Sequence, residues 1–258
     1  MRLDQALVER GLALSRVRAQ GLIRAGFVTV NGLKADKNAA LVDEADAIRV
    51  TGETLPYVSR GALKLIAALD RFQVDPKGLT CMDIGASTGG FTEVLLERGA
   101  DRVYAIDAGT DQLAGKLRAD PRVTVMEQTN ARALTPDMFA APIALAVMDV
   151  SFISIKLILP AAFTILGDGG RMIALVKPQF EAGPKALNKH GVVTDPREHE
   201  RVLDEIAAFV QGLGWRVEDV IPSPIQGGSG NREFLALMTP DGSQACPDLG
   251  HGPVARQK

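Results

Sequence analysis

Redox and metal chemistry have little to work with in this chain: its 258 residues include 2 cysteines and 3 histidines. Cys81 and Cys246 show neither paired nor metal-ligand spacing, which argues against a disulfide framework and for a reducing, cytoplasmic location. The scattered histidines offer no His-based metal site. The N-terminal "MRLDQALVERG" lacks an apolar core, so no signal peptide is expected there. One long apolar run exists, residues 141–166, but Asp149, Lys156, Pro142 and Pro160 interrupt it. Each charge costs about 2.5–3.5 kcal/mol near the centre of a membrane helix. A buried strand followed by a buried helix accounts for the same residues more cheaply, and no membrane partner is expected. The Gly-rich stretch "DIGASTGGF", 83–91, is not G-x-G-x-x-G and has no Lys-Ser or Lys-Thr pair after its last glycine. A phosphate-cradling loop is thereby disfavoured.

What is present is an uneven distribution of charge. The whole chain has a net charge of -2, yet residues 1–37 carry seven Lys/Arg against three acids, a net of +4. The remainder therefore carries 22 basic and 28 acidic groups, a net of -6. A basic head on a mildly acidic body suggests a polyanion-binding module joined to a second domain. The expected boundaries are a small α+β domain over 1–55, a large domain over 56–240, and a disordered Pro/Gly-rich tail over 241–258. Within the head, Leu3, Leu7 and Val8 mark one short helix. Ser15 N-caps a second, with Val17, Leu22 and Ile23 as its apolar set. Strands follow at "FVTVNG" and "AIRVTG", the first ending in an Asn-Gly turn.

From residue 56 strand and helix patterns alternate, which predicts a doubly wound parallel sheet covered on both faces. Strands are expected at 81–85, 102–107, 123–128, 145–150, 171–178, 215–223 and 232–238, with a helix over 196–214. Only "PIQGGSGN" separates the last two strands, too little for a parallel crossover, so they should be antiparallel. Seven strands with the last reversed resemble the S-adenosylmethionine-dependent methyltransferase architecture, an inference by fold analogy. Asp107 ends the second strand, where an acid commonly accepts hydrogen bonds from both hydroxyls of a ribose. In methyltransferases of this fold the small-residue loop passes under the methionine end of the cofactor. That assigns Asp83, Gly85, Ala86, Ser87, Gly89, Gly90 and Phe91 to the cofactor loop, Asn130 and Ala131 to the adenine edge, and Asp149 to the sulfonium.

"RLDQALVERGLALSRVRAQGLIRAGFVTVNG" is similar to the small alpha-L RNA-binding domain of a small-subunit ribosomal protein, pseudouridine synthases and tyrosyl-tRNA synthetases. The resemblance implies that Arg2, Arg16, Arg18, Arg24 and Lys34 face structured RNA, giving placement more than sequence readout. "VSRGALKL", "DIGASTGGF", "VMDVSFIS", "LVKPQFE" and "GNREFLAL" together resemble the TlyA family, related to FtsJ-type ribose 2′-O-methyltransferases, over about residues 2–240. The family's Lys-Asp-Lys-Glu tetrad falls on Lys64, Asp149, Lys177 and Glu233. The implied reaction moves a methyl group from S-adenosylmethionine to a ribose 2′-hydroxyl of ribosomal RNA, most naturally at cytidine, with ribosomal RNA or ribosomal subunits as partner. Lys177 is the expected base, its proton loosened by burial and by repulsion from Lys64. No metal is called for, since the leaving group is a neutral thioether. Two other readings compete: a membrane-active hemolysin, after a label some relatives carry, and a non-catalytic ribosome assembly factor. The intact tetrad argues against the second.

Overall fold

The computed structural model describes residues 1–13, 15–24, 26–51, 57–227 and 230–242, without the side chains of Val17 and Arg24. The expected disordered tail lies outside the described residues from 243 onward, as do residues 52–56. The chain divides into two compact units, with the division between Pro56 and Tyr57.

In the first unit, α1 (Leu3–Glu9) and α2 (Arg16–Arg24) share a core with a small sheet, in which Leu3, Leu7, Leu22, Ile23, Val28 and Val42 are buried. Ser15 caps α2, its hydroxyl accepting from the Arg18 N–H at 3.3 Å. Strands β1 (Val28–Val30) and β2 (Leu33–Lys34) form a hairpin, and β3 (Ile48–Val50) pairs with the other edge of β1. Asn31 and Gly32 have φ of 52° and 82°, the two left-handed residues that a tight two-residue hairpin turn demands. β2 was not foreseen. It is two residues long and exposed throughout, so it leaves no alternation to read.

Asp4 is fully buried on α1, an unusual place for a carboxylate. It survives because Arg2, Arg16 and Gln20 all donate to it, at 2.8 to 3.1 Å. The Arg2 hydrogen bonds are the main cause of an Asp4 pKa held far below the usual carboxylate range.

The second unit is a seven-stranded sheet in the order β6-β5-β4-β7-β8-β10-β9. In chain order its elements are α3 (Gly61–Phe72), β4 (Thr80–Ile84), α4 (Gly90–Glu97), β5 (Arg102–Ile106), α5 (Gly115–Arg118) and β6 (Val123–Met126). Then come β7 (Leu145–Met148), α6 (Leu159–Leu166), β8 (Arg171–Val176), α7 (Pro178–Glu181), α8 (Pro196–Gly212), β9 (Trp215–Pro222) and β10 (Phe234–Pro240). The 141–166 run resolves into β7 and α6, and among the described residues no helix is long and apolar enough to cross a membrane.

Strand residues alternate between two cores, as period-2 side-chain placement requires. Met82, Ile84, Ala146, Met148, Met172 and Ala174 face α6 and α8, where Phe163 and Trp215 stack with centroids 4.0 Å apart. Cys81, Val103, Leu145, Val147, Ile173 and Leu175 face α3 and α4. The Cys81 thiol is pushed up to about 12 by burial, which leaves it inert. Pro196 opens α8, and the Asp195 carboxylate accepts from the Arg197 N–H at 2.9 Å as its N-cap.

β10 runs antiparallel to both β8 and β9 and lies between them, so the reversed strand is one place in from the edge. Its reversal has a functional consequence. The start of β10 lies at the carboxyl edge where β4, β5, β7 and β8 end, with Phe234 opposite Val176.

Candidate active site

Four ionisable residues meet at that edge. Asp149 follows β7, Lys177 follows β8, and Glu233 immediately precedes β10, each just outside the strand that was expected to contain it. Lys64 comes from α3, whose Ala62, Leu65, Ala68 and Leu69 are buried in the second core. The contacts form a chain. Lys177 Nζ lies 2.6 Å from Asp149 Oδ1, Asp149 Oδ2 lies 3.6 Å from Lys64 Nζ, and Lys64 Nζ lies 2.7 Å from Glu233 Oε2. The side chains of Lys64, Lys177 and Glu233 are at most 10% exposed and that of Asp149 21%, so these charges sit largely out of water. Burial on this scale is sustainable because two amines face two carboxylates. Asp149 stands between the two lysines and contacts both, so the repulsion expected from the sequence acts across a carboxylate.

The Gly-rich loop reaches the site. Gly85, φ 83°, passes under the end of β7 so closely that a Cβ would stand 2.6 Å from the Asp149 carbonyl oxygen. Ser87 takes a left-handed φ of 48°, and its N–H donates to Asp107 Oδ2 at 2.8 Å. The Gly109 N–H donates to Asp107 Oδ1 at 2.7 Å, which fixes the carboxylate at the cavity wall. Beside it Asn130 Oδ1 accepts from the Arg132 N–H at 3.1 Å, capping a short turn that presents Ala131.

These residues line two cavities. One of about 800 Å³ is walled by Gly85, Ser87, Asp107, Asn130, Ala131 and Asp149. The other, about 670 Å³, holds the tetrad together with Ala86, Gly90 and Phe91. Gly85, Ser87, Asp149, Ser151 and Phe152 belong to both, so the cavities adjoin at Asp149. Two sequence candidates are on neither wall. Gly89 backs onto Leu113 and Leu117. Asp83 is fully buried under the loop, accepting from the Thr92 hydroxyl at 2.6 Å, and burial pushes its pKa up to about 7.

Three features were missed. Glu127 accepts from the N–H groups of Asp111, Gln112 and Leu113 at 2.9 to 3.1 Å and from Arg118 at 2.7 Å, pinning the loop beyond Asp107. Its signal was an acid at the end of the third strand. Phe152 is 91% exposed at the shared rim with a left-handed φ of 64°, tilted against Phe180 with centroids 5.2 Å apart. The Ser151 hydroxyl accepts from Lys177 Nζ at 2.8 Å. No pattern in "DVSFIS" distinguishes these two from loop residues.

The basic candidates of the first unit divide. Arg2 and Arg16 are bound to Asp4 yet remain 40% and 51% exposed, so they serve the fold while keeping faces open to solvent. Lys34 is exposed, Arg18 is half-buried, and the Arg24 side chain lies outside the described residues. Among the described residues no group of three His, Cys, Asp or Glu is disposed to hold a metal ion.

A seven-stranded sheet with β10 reversed, carrying a small-residue loop after β4 and an acid after β5, defines an S-adenosylmethionine-dependent methyltransferase fold. A solved structure designated an RNA methyltransferase, from Pyrococcus horikoshii, shares that fold with a TM-score of 0.52 at 17% identity, over 73% of this chain and 88% of its own. Residues 57–239 match the FtsJ-like methyltransferase model, and residues 1–48 match the S4 domain. A hemolysin-designated structure from Streptococcus thermophilus is 46% identical with a TM-score of 0.76, covering 94% of this chain and 89% of its own. The 16S/23S rRNA (cytidine-2′-O)-methyltransferase TlyA of Mycobacterium tuberculosis is 48% identical over 92% of this chain and 90% of its own. The chain belongs to the TlyA family of FtsJ-like methyltransferases.

Proposed function

We propose that this protein transfers a methyl group from S-adenosylmethionine to a ribose 2′-hydroxyl of ribosomal RNA, at cytidine as in the mycobacterial relative. The observation that carries the reading is the chain Lys177–Asp149–Lys64–Glu233 at the junction of two cavities. The larger cavity suits a cationic nucleoside. Its carboxylates, Asp107 and Asp149, can accept from a ribose diol and face a positive centre, and among the described residues Arg132 is the one cation on its wall. When bound there, the cofactor supplies an electrophilic methyl group and leaves as a neutral thioether, so the proposed site uses no metal.

The chain's own residues supply the rest. A 2′-hydroxyl is a very weak acid and needs a base beside it. Lys177 takes that proton, Asp149 holds both amines, and Glu233 anchors Lys64. Gly85, Ala86, Ser87, Gly90 and Phe91 shape the wall between donor and acceptor, while Asn130 and Ala131 border the adenine. Phe152 offers an exposed aromatic face at the rim, suited to stacking a base turned out of an RNA structure. Base and positioning effects of this kind supply about 10²–10⁴-fold and several kcal/mol more, respectively.

We assign residues 1–55 to RNA docking through Arg2, Arg16, Arg18, Arg24 and Lys34, and 56–240 to methyl transfer. The S4 match and the concentration of positive charge in residues 1–37 support that division. Ribosomal RNA as substrate supports a cytoplasmic location. The test is to map methylation in ribosomal RNA from cells lacking the protein and to add purified protein back. Loss and restoration of a ribose methyl is expected. A methyl on a base, or no change, would refute the reading.

A further inference from the structure

We propose that Ser151 is a positioning residue for the transfer, fixing the lone pair of neutral Lys177 on the acceptor hydroxyl. This rests on the ribose methylation proposed above. A lysine nitrogen offers three directions beyond its bond to Cε, filled by three hydrogens in the ammonium and by two hydrogens and a lone pair in the amine. At Lys177 the Asp149 carboxylate takes one direction at 2.6 Å and the Ser151 hydroxyl oxygen a second at 2.8 Å. Among the described residues no other acceptor is bonded to this nitrogen, and its side chain is only 9% exposed. The third direction is left to the cavity that Lys177 lines. Two hydrogens held by two acceptors therefore leave the lone pair of the neutral amine turned toward the acceptor hydroxyl. With Asp149 alone, the amine could rotate about Cε–Nζ and lose that aim.

The backbone is arranged for this contact. Phe152 adopts a left-handed φ of 64°, a conformation that costs a bulky L-residue energy and persists only where its surroundings enforce it. Two residues on, the half-buried Glu181 carboxylate accepts from the Ser154 hydroxyl at 2.6 Å and the Ile155 N–H at 2.8 Å, tying the loop to α7. α7 begins directly after Lys177, which is its N-cap residue. The base and the loop that aims it are thus fastened to one short helix.

In the reaction the 2′-O–H proton passes to the Lys177 lone pair. The electron pair left on oxygen forms the bond to the methyl carbon, whose bond to sulfur breaks with its pair remaining on sulfur. Ser151 keeps its hydrogen throughout. Its role appears only in the orientation of the amine, so it should affect turnover and not binding.

The experiment compares wild type, Ser151→Ala, Lys177→Ala and the double variant on ribosomal subunits from cells lacking the protein. It reads single-turnover methylation, RNA KM and S-adenosylmethionine affinity. Ser151→Ala is expected to slow turnover about 10-fold, the worth of one hydrogen bond in the transition state, with both affinities within about two-fold of wild type. Against the Lys177→Ala background the same change should cost nothing further, because the group it orients is gone. Undiminished turnover in Ser151→Ala, a loss confined to RNA KM or cofactor affinity, or a loss that multiplies that of Lys177→Ala would each overturn the inference. A wild-type product without a ribose methyl would instead overturn the proposed function, and this inference with it.

Discussion

Replacing Gly227 by alanine should disturb Glu233 without altering any ionisable group. Gly227 does not occupy the left-handed region, so its backbone tolerates a side chain. A Cβ there would stand 2.5 Å from Glu233 Oε1 and 3.0 Å from its Cδ, whereas ordinary contact begins at 3.4 Å. The carboxylate is the mobile partner and must withdraw by about 1 Å, a misplacement that can cost up to about 10²-fold in rate. Such a shift takes Oε2 off its 2.7 Å contact with Lys64. Turnover should fall by about 10- to 10²-fold, roughly 1.4–2.7 kcal/mol of transition-state stabilisation. Cofactor affinity should hold, because Gly227 borders the tetrad cavity and not the one containing Asp107. Single-turnover methylation, calorimetry with S-adenosylmethionine and thermal melting together read the outcome. Wild-type turnover would refute the reasoning, as would a rate loss matched by lost cofactor affinity. In a Glu233→Ala background the Gly227 change should add nothing.

Asp107→Ala should weaken S-adenosylmethionine binding by about 1–3 kcal/mol, the cost of leaving donors without their acceptor. Unchanged affinity by calorimetry would remove Asp107 from the cofactor site. Deleting residues 1–55 should abolish RNA methylation and leave cofactor binding intact. In the full chain, log affinity for RNA should fall with log salt by about 0.7–0.9 per phosphate contact. A truncated protein as active as the intact one would show that the basic head is not the docking module. Glu127, held down to about 2 from an ordinary 4.5 chiefly by the Arg118 hydrogen bond, should make stability depend on pH. A lowered folded pKa means that its contribution is complete above about 4.5 and lost as pH falls toward about 2. Glu127→Gln should therefore be less stable than wild type near neutral pH, with the gap closing in acid. A gap in chemical denaturation that stays constant across that window would count against the assignment.

The architecture was legible because its signals are periodic or local. Strands buried on both faces read as short apolar runs, and the brevity of "PIQGGSGN" forbade a parallel crossover. The site was legible in the residues that terminate strands, since a doubly wound sheet delivers strand ends to one edge. Asp149, Lys177 and Asp107 lie one residue beyond their strands, and Glu233 one residue before its strand. Long-range pairing was not legible. Nothing in "RLDQALVERG" says that Asp4 is fully buried and takes hydrogen bonds from Arg2, Arg16 and Gln20, since two of these donors lie on another helix. Those arginines read as a free basic face, and only the packing shows them holding a buried carboxylate. Phe152 was hidden for a different reason: a left-handed φ at a non-glycine residue leaves no compositional trace.

The placement of Asp149 changes how the tetrad has to be understood. Sequence reasoning treated Lys64 as a like-charged neighbour acting directly on Lys177. In the structure Lys64 has Glu233 at 2.7 Å and touches Asp149 at 3.6 Å, while Lys177 meets the other oxygen of Asp149 at 2.6 Å. The contacts run along a line, from Glu233 through Lys64 to Asp149 and on to Lys177, and we take the proposed network to act in that series. Asp149 is the member with no substitute, because it joins the two halves of the line and borders both cavities. In the proposed reaction Glu233 is the most remote from the base, and its role is to hold Lys64 against the far oxygen of Asp149. A serial network of this kind loses its function at the first broken link. The losses from removing Lys64 and Glu233 together should then fall well short of the product of their separate losses.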